Sequence, residues 1–132
     1  MCSRPRRYQR LWELVEAERI ALSEQVGALE PVQWDAHSRC EGWRVRDVLG
    51  HLVHMAESTG RSMAADLRAR PGGRDDAFAA WGREIGQAPV PELAERLRRS
   101  AGSRYNGMPA VALSEVLVHG DDMLQPLGRR AE

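Results

Sequence analysis

Residues 111–124 read VALSEVLVHGDDML, and this stretch decides the fold because it is apolar enough to form a buried helix. Pro126 and Gly128 come shortly after it and predict where the helix ends. No part of the chain shows the strict alternation of apolar and polar residues that predicts β-strands. We therefore expect an all-α protein.

Four further stretches carry apolar residues at the spacings of amphipathic helices. They are Gln9 to Val26, about Trp43 to Arg70 with Gly60 weakening its middle, the short segment Asp75 to Ile85, and Pro91 to Ser100. Glycines and prolines separate them, residues 32–42 are predicted to be a structured loop, and residues 129–132 a polar tail. The pattern predicts one domain over residues 1–132, an antiparallel four-helix bundle with one interrupted connection.

The composition excludes several classes of protein. Hydrophobic residues make up 42% and charged residues 29% of the chain, which is typical of a globular domain and not of a disordered one. The formal net charge is +0, so we expect no nucleic-acid partner despite Arg4, Arg6, Arg7 and Arg10 near the N-terminus. We also expect no membrane partner, because no window is apolar enough to span a bilayer.

The chain has two cysteines, Cys2 and Cys40, which do not make a disulfide framework at this length. The N-terminal residues contain no apolar run typical of a signal peptide. Both observations favour a reducing compartment, and we expect the protein to be cytoplasmic. All 19 basic residues are arginine, which suggests a GC-rich genome such as that of an actinobacterium.

Three side chains could bind a metal ion. Glu115 and His119 are four residues apart, which places both on one face of the last helix. His51 lies on the predicted inward stripe of the second helix. Two imidazoles and one carboxylate form the ligand set of many catalytic zinc sites and leave coordination positions open for water or substrate.

A simpler interpretation is that His51 is a core histidine and that Glu115 and His119 are a surface pair. Spacing alone favours this simpler interpretation. The apolar neighbours of Glu115 favour the metal, because burying an unpaired carboxylate is costly and a metal ion removes that cost. Asp122 could then orient His119 and Asp47 could orient His51, although Asp47 also suits the first turn of a helix.

Other residues have weaker cases. His37 and His54 are expected at the surface, and Cys40 is interpreted as a partly buried structural cysteine, not a nucleophile. Trp34, Trp43 and Trp81 are expected to pack in the core or against loops. None of them is included in the predicted ligand set.

Two blocks of sequence resemble a known family. QWDA at residues 33–36 and SRCEGWRVRDVLGHL at residues 38–52 are similar to the signature of the DinB-like, mycothiol-dependent maleylpyruvate isomerase family. EVLVHGDD at residues 115–122, followed by PLG at residues 126–128, is similar to its closing helix motif. By this resemblance His51, Glu115 and His119 correspond to the family's metal ligands in a four-helix bundle, with zinc the usual metal.

The resemblance also implies a reaction. The family uses a low-molecular-weight thiol, mycothiol in actinobacteria, which the metal would hold as a thiolate. It implies a thiol S-transferase or isomerase that acts on an electrophilic small molecule, with zinc, or alternatively nickel, iron or manganese, as the metal. The alternative is a non-catalytic metal- or ligand-binding bundle, related to stress and forming a homodimer, in which the three residues are structural.

Overall fold

The computed structural model describes residues 3–105 and 107–129. In this part of the chain there are seven α-helices and no strand: α1 (Ser3–Gly27), α2 (Pro31–Trp34), α3 (Val45–Glu57), α4 (Gly60–Ala69), α5 (Arg74–Ile85), α6 (Val90–Arg99) and α7 (Pro109–Leu124). A single 3₁₀ turn, Gln125–Leu127, follows α7. The prediction of an all-helical fold is confirmed for these residues, whereas an antiparallel four-helix arrangement in one domain stays a prediction.

The core lies between four of the helices. α1 packs against α6 and α7, and α3 packs against the same two helices. Each of the four contributes fully buried aliphatic side chains, among them Val15, Leu22, Leu49, Val53, Leu93, Leu97, Met123 and Leu124. Burial of these side chains is the main force that holds α3 and α7 side by side, and these two helices carry the candidate ligands.

The predicted helix from Trp43 to Arg70 is wrong in one respect, because it is interrupted after Glu57. Ser58 is extended, with ψ 154°. Thr59 then caps α4: its hydroxyl accepts a hydrogen bond from the Ser62 amide at 3.0 Å, while its own amide donates to the Ser62 hydroxyl at 2.8 Å. This reciprocal capping stabilises a new helix start at Gly60.

The predicted loop over residues 32–42 also contains regular structure. The short helix α2 takes up its beginning, with Pro31 at its first position. An isolated antiparallel bridge joins His37 to Arg44 just before α3 starts. The loop therefore leads directly into the helix that carries His51.

Helix α5 packs on α3 at very short range. A Cβ atom placed on Gly50 would lie 2.6 Å from the backbone nitrogen of Gly86, and one on Gly86 would lie 2.6 Å from the Arg46 carbonyl oxygen. Arg46 closes this contact, because its Nε donates to the Gly86 carbonyl at 2.7 Å. Only glycine allows the two backbones to approach so closely, and this approach fixes the helix turn that carries His51.

No helix among the described residues combines the length and apolar character needed to cross a membrane. Cys2 and residues 130–132 of the predicted tail lie outside the described residues, as does the side chain of Arg4.

Candidate metal centre

Helices α3 and α7 bring the three candidate ligands together. His51 Nε2 lies 3.1 Å from Glu115 Oε2, and His119 Nε2 lies 3.1 Å from the same oxygen. The two imidazole rings stand edge to face with centroids 5.0 Å apart. The spacing of four residues on α7 therefore does place Glu115 and His119 on one face, and α3 supplies His51 from the opposite side.

The three ligand atoms could surround one ion. All of them lie within 4.8 Å of one another. Nitrogen and oxygen ligands about 2.1 Å from one metal ion lie roughly 3 to 3.4 Å apart when the ligand angles are octahedral or tetrahedral. The two distances of 3.1 Å to the Glu115 oxygen match this range, so each imidazole stands at a suitable distance from the carboxylate to share a divalent ion with it.

The electrostatics of the cluster favour a charged carboxylate. Hydrogen bonds with His119 and then His51 hold the pKa of Glu115 well below its usual value, although burial opposes them. The hydrogen bond with Glu115 raises the pKa of His119, again against burial. Glu115 is therefore ionised at neutral pH and available as a ligand.

Asp122 lies behind His119. Its Oδ2 is 3.2 Å from His119 Nδ1, the nitrogen that faces away from Glu115. An imidazole that donates from Nδ1 to a carboxylate keeps its Nε2 lone pair free for a metal ion. The predicted partner of His119 is thus in place for that role.

Cys40 completes this side of the site, and sequence reasoning missed the contact. Its thiol donates to Asp122 Oδ2 at 3.1 Å and lies 3.8 Å from His119 Nδ1. Burial, followed by the hydrogen bond to Asp122, raises the pKa of the thiol to about 12. Cys40 precedes α3 in the chain, so no spacing of three or four residues could place it beside α7. Its position inside the motif of residues 38–52 was the only sequence signal for a role at the site.

His51 is held in a different way. It is 7% exposed and is flanked edge-on by Trp43 at 5.6 Å and Phe78 at 5.9 Å between ring centroids. Its Nδ1 has no hydrogen-bond partner among the described residues. Asp47 does not serve it, because that carboxylate binds the Arg44 amide at 2.9 Å and the Arg44 guanidinium at the start of α3.

The prediction that His54 lies at the surface is wrong. His54 is 8% exposed and stacks on Trp81 with ring centroids 4.4 Å apart. Its position three residues after His51 places it under α5, and burial lowers its pKa. His37 is exposed as expected, and neither histidine belongs to the ligand cluster.

A comparison with protein families gives one match. Residues 15–112 match the family described as the mycothiol maleylpyruvate isomerase N-terminal domain. This range includes His51 and ends before Glu115 and His119, so the family match bears directly on one of the three candidate ligands. Neither a search of curated proteins nor a search of solved structures returned a match.

Proposed function

The chain belongs to the mycothiol maleylpyruvate isomerase N-terminal domain family, and from this premise we propose that it is a divalent-metal-dependent thiol S-transferase or isomerase. His51, Glu115 and His119 hold the metal ion, which is zinc in the first instance, with nickel, iron and manganese as alternatives. The co-substrate is mycothiol or a similar small thiol, and the other substrate is a small electrophile. The helices form an antiparallel four-helix bundle that works in a reducing, cytoplasmic compartment.

One observation carries the proposal: two imidazole nitrogens from different helices converge on a single carboxylate oxygen at 3.1 Å each. If Glu115 and His119 were only a surface pair on α7, no side chain from α3 would be expected at the same carboxylate oxygen. His51 is only 7% exposed, and burying polar atoms costs free energy unless they bind a partner. The burial of His51 therefore also supports its role as a metal ligand.

A divalent ion in this cluster would lower the pKa of a coordinated thiol or water and so supply a nucleophile near neutral pH. The chain's own residues prepare the site for it. Asp122 is placed to accept a hydrogen bond from His119 Nδ1, which leaves Nε2 directed toward Glu115. Trp43 and Phe78 shield the His51 ring from water. Three protein ligands leave further coordination positions for the thiol.

The first test is metal content. Protein purified without chelator should contain about one divalent ion per chain, and His119→Ala should lose it, with an affinity at least about a hundredfold weaker because one of three ligands is gone. His37→Ala is the matched control, since His37 is exposed and lies outside the cluster. Elemental analysis and metal titration measure both variants and identify the metal.

Turnover separates catalysis from metal binding alone. Metal-loaded protein should convert small electrophiles in a reaction that depends on an added thiol, with the thiol consumed in S-transfer and regenerated in isomerisation, and His119→Ala should not. Wild-type protein without bound metal, or without metal-dependent stabilisation on heating, would refute the metal site. Bound metal without thiol-dependent turnover would instead favour the non-catalytic bundle.

A further inference from the structure

A second group of metal-ligating side chains lies on the far side of the His119 ring. The Cys40 thiol and His119 Nδ1 both approach one oxygen of Asp122, Oδ2, at 3.1 and 3.2 Å. Cys40 Sγ and His119 Nδ1 lie 3.8 Å apart. This pattern repeats that of the first cluster, in which two donors converge on one oxygen of Glu115. The difference is that one donor of the second group is sulfur.

The three separations suit one ion placed between these atoms. A metal ion about 2.3 Å from sulfur and about 2.1 Å from nitrogen and oxygen, with tetrahedral angles, separates its ligand atoms by roughly 3.4 to 3.6 Å. The observed separations, from 3.1 to 3.8 Å, lie on either side of these values. All three ligand atoms lie within 4.8 Å of one another. The three side chains are only partly buried, so an ion can reach them from solvent.

Backbone hydrogen bonds hold the loop that carries Cys40 in this position. The Cys40 carbonyl accepts a hydrogen bond from the Trp43 amide at 3.0 Å, which closes the turn after Cys40. The Arg39 amide donates to the Asp122 carbonyl at 2.9 Å, which ties the loop to α7. His119 and Asp122 are three residues apart on α7 and therefore share one face of that helix. The three ligand atoms are thus brought together by the fold itself.

The two clusters use opposite nitrogens of the His119 ring. When an ion binds Nε2 beside Glu115, the Nδ1 proton can donate to Asp122. When an ion binds Nδ1 beside Cys40 and Asp122, the Nε2 proton can donate to Glu115. Each arrangement leaves the second nitrogen with a carboxylate acceptor. Because a neutral imidazole carries one proton and one free lone pair, His119 serves one ion at a time.

We propose that Cys40, Asp122 and His119 Nδ1 form an alternative metal position, which takes a thiophilic divalent ion and withdraws His119 from the first position. A thiolate is a soft ligand, so this position should favour ions such as cadmium over harder ions such as manganese. Binding releases the Cys40 thiol proton to solvent. Zinc should fill the first position before this one, because Glu115 is already ionised, whereas Cys40 must release the proton that it donates to Asp122.

Cadmium titration tests this position, because a cadmium–thiolate bond absorbs in the ultraviolet and cadmium bonds to nitrogen or oxygen do not. The parent protein is Cys2→Ser with its metal removed, in which Cys40 is the remaining cysteine. Cadmium should produce the thiolate absorption in this protein. Adding Asp122→Asn should raise the cadmium concentration for half the absorption at least about tenfold, since even the outer partners of metal ligands contribute about 10- to 100-fold in affinity.

Asp121→Asn is the matched control, because Asp121 is an exposed carboxylate on the same helix and lies outside the cluster. It should leave the cadmium affinity unchanged. Glu115→Gln separates this inference from the proposed function, since it should weaken zinc binding at the first position and leave the thiolate absorption in place. The inference is overturned if cadmium gives no thiolate absorption in the parent protein. It is also overturned if Asp122→Asn does not change the cadmium concentration required, as expected for Cys40 binding cadmium as an isolated thiol.

Discussion

The two sides of the candidate metal centre are built by different forces. On the α7 side, His119 is fixed by hydrogen bonds, with Glu115 at one ring nitrogen and Asp122 at the other. On the α3 side, His51 shares the Glu115 oxygen at 3.1 Å but is otherwise held by packing, with aromatic rings around it and no partner for Nδ1 among the described residues. Substitutions of the residues behind His119 should therefore alter metal affinity, and substitutions of the residues that pack α3 around His51 should alter the stability of the fold.

The largest effect is expected where α5 meets α3. Gly50→Ala adds a methyl group that would meet the Gly86 backbone nitrogen at 2.6 Å, and backbone atoms cannot rotate away as a side chain can. The two helices must separate, which should lower the free energy of unfolding by about 3 kcal/mol or more. Urea denaturation of the metal-free wild type and variant measures this change in the free energy of unfolding.

Gly27→Ala is the control for that substitution. A Cβ atom at Gly27 would lie 3.7 Å from the Ala94 Cβ, an ordinary contact. Alanine is also the better helix former, so this variant should be unchanged or more stable by up to about 1 kcal/mol. If Gly50→Ala were as stable as the wild type, the close packing of α5 on α3 would not be what stabilises the helix that carries His51.

A smaller effect is expected behind His119. Asp122→Asn keeps the shape of the side chain but removes the charge that accepts the His119 Nδ1 proton. Substitutions of such partners commonly weaken metal binding about 10- to 100-fold, and the stability of the metal-free fold should change much less than in Gly50→Ala. Zinc titration with a competing chelator measures the affinity.

Asp121→Asn provides the control one position earlier, on an exposed side chain of the same helix. It should bind zinc as the wild type does. If both aspartate variants bind zinc equally well, Asp122 does not act through His119 and the α7 side is held by Glu115 alone.

The same contrast explains what the sequence could predict. Hydrogen bonds within α7 follow from spacings of three and four residues, so the group of Glu115, His119 and Asp122 was predictable before its geometry was seen. The contacts of α3 with α5 depend on the direction in which the chain returns after Thr59, and apolar periodicity carries no such information. The helix was therefore predicted to continue past Ser58, and the burial of His54 was missed.

Cys40 shows the same limit at the site itself. It meets Asp122 because the loop before α3 lies against α7, where the Arg39 amide donates to the Asp122 carbonyl at 2.9 Å. This contact joins residues that are far apart in the sequence. Because it is made by backbone atoms, the identities of the side chains do not predict it. A pattern of side chains could identify the ligands, but not the loop that packs behind them.

The smallest effect is expected from Cys40, whose thiol donates to Asp122 at 3.1 Å. A thiol is a weak donor, so Cys40→Ala should change zinc affinity by less than about threefold, compared with about 10-fold or more for Asp122→Asn. The thiol should also react slowly. Because burial and Asp122 raise its pKa to about 12, little thiolate exists at pH 8, and the thiolate is the reactive form.

Alkylation with iodoacetamide tests that reasoning in chelated Cys2→Ser protein, where Cys40 is the remaining cysteine. Folded protein should react far more slowly at pH 8 than protein unfolded in urea, and Asp122→Asn should speed the folded reaction, because it removes a negative charge that disfavours the thiolate. Raising the pH should increase the rate, since deprotonation of the folded thiol is centred near its pKa of about 12. Rapid alkylation that Asp122→Asn leaves unchanged would mean that Cys40 is not coupled to the α7 side, and the hydrogen bonds behind His119 would then end at Asp122.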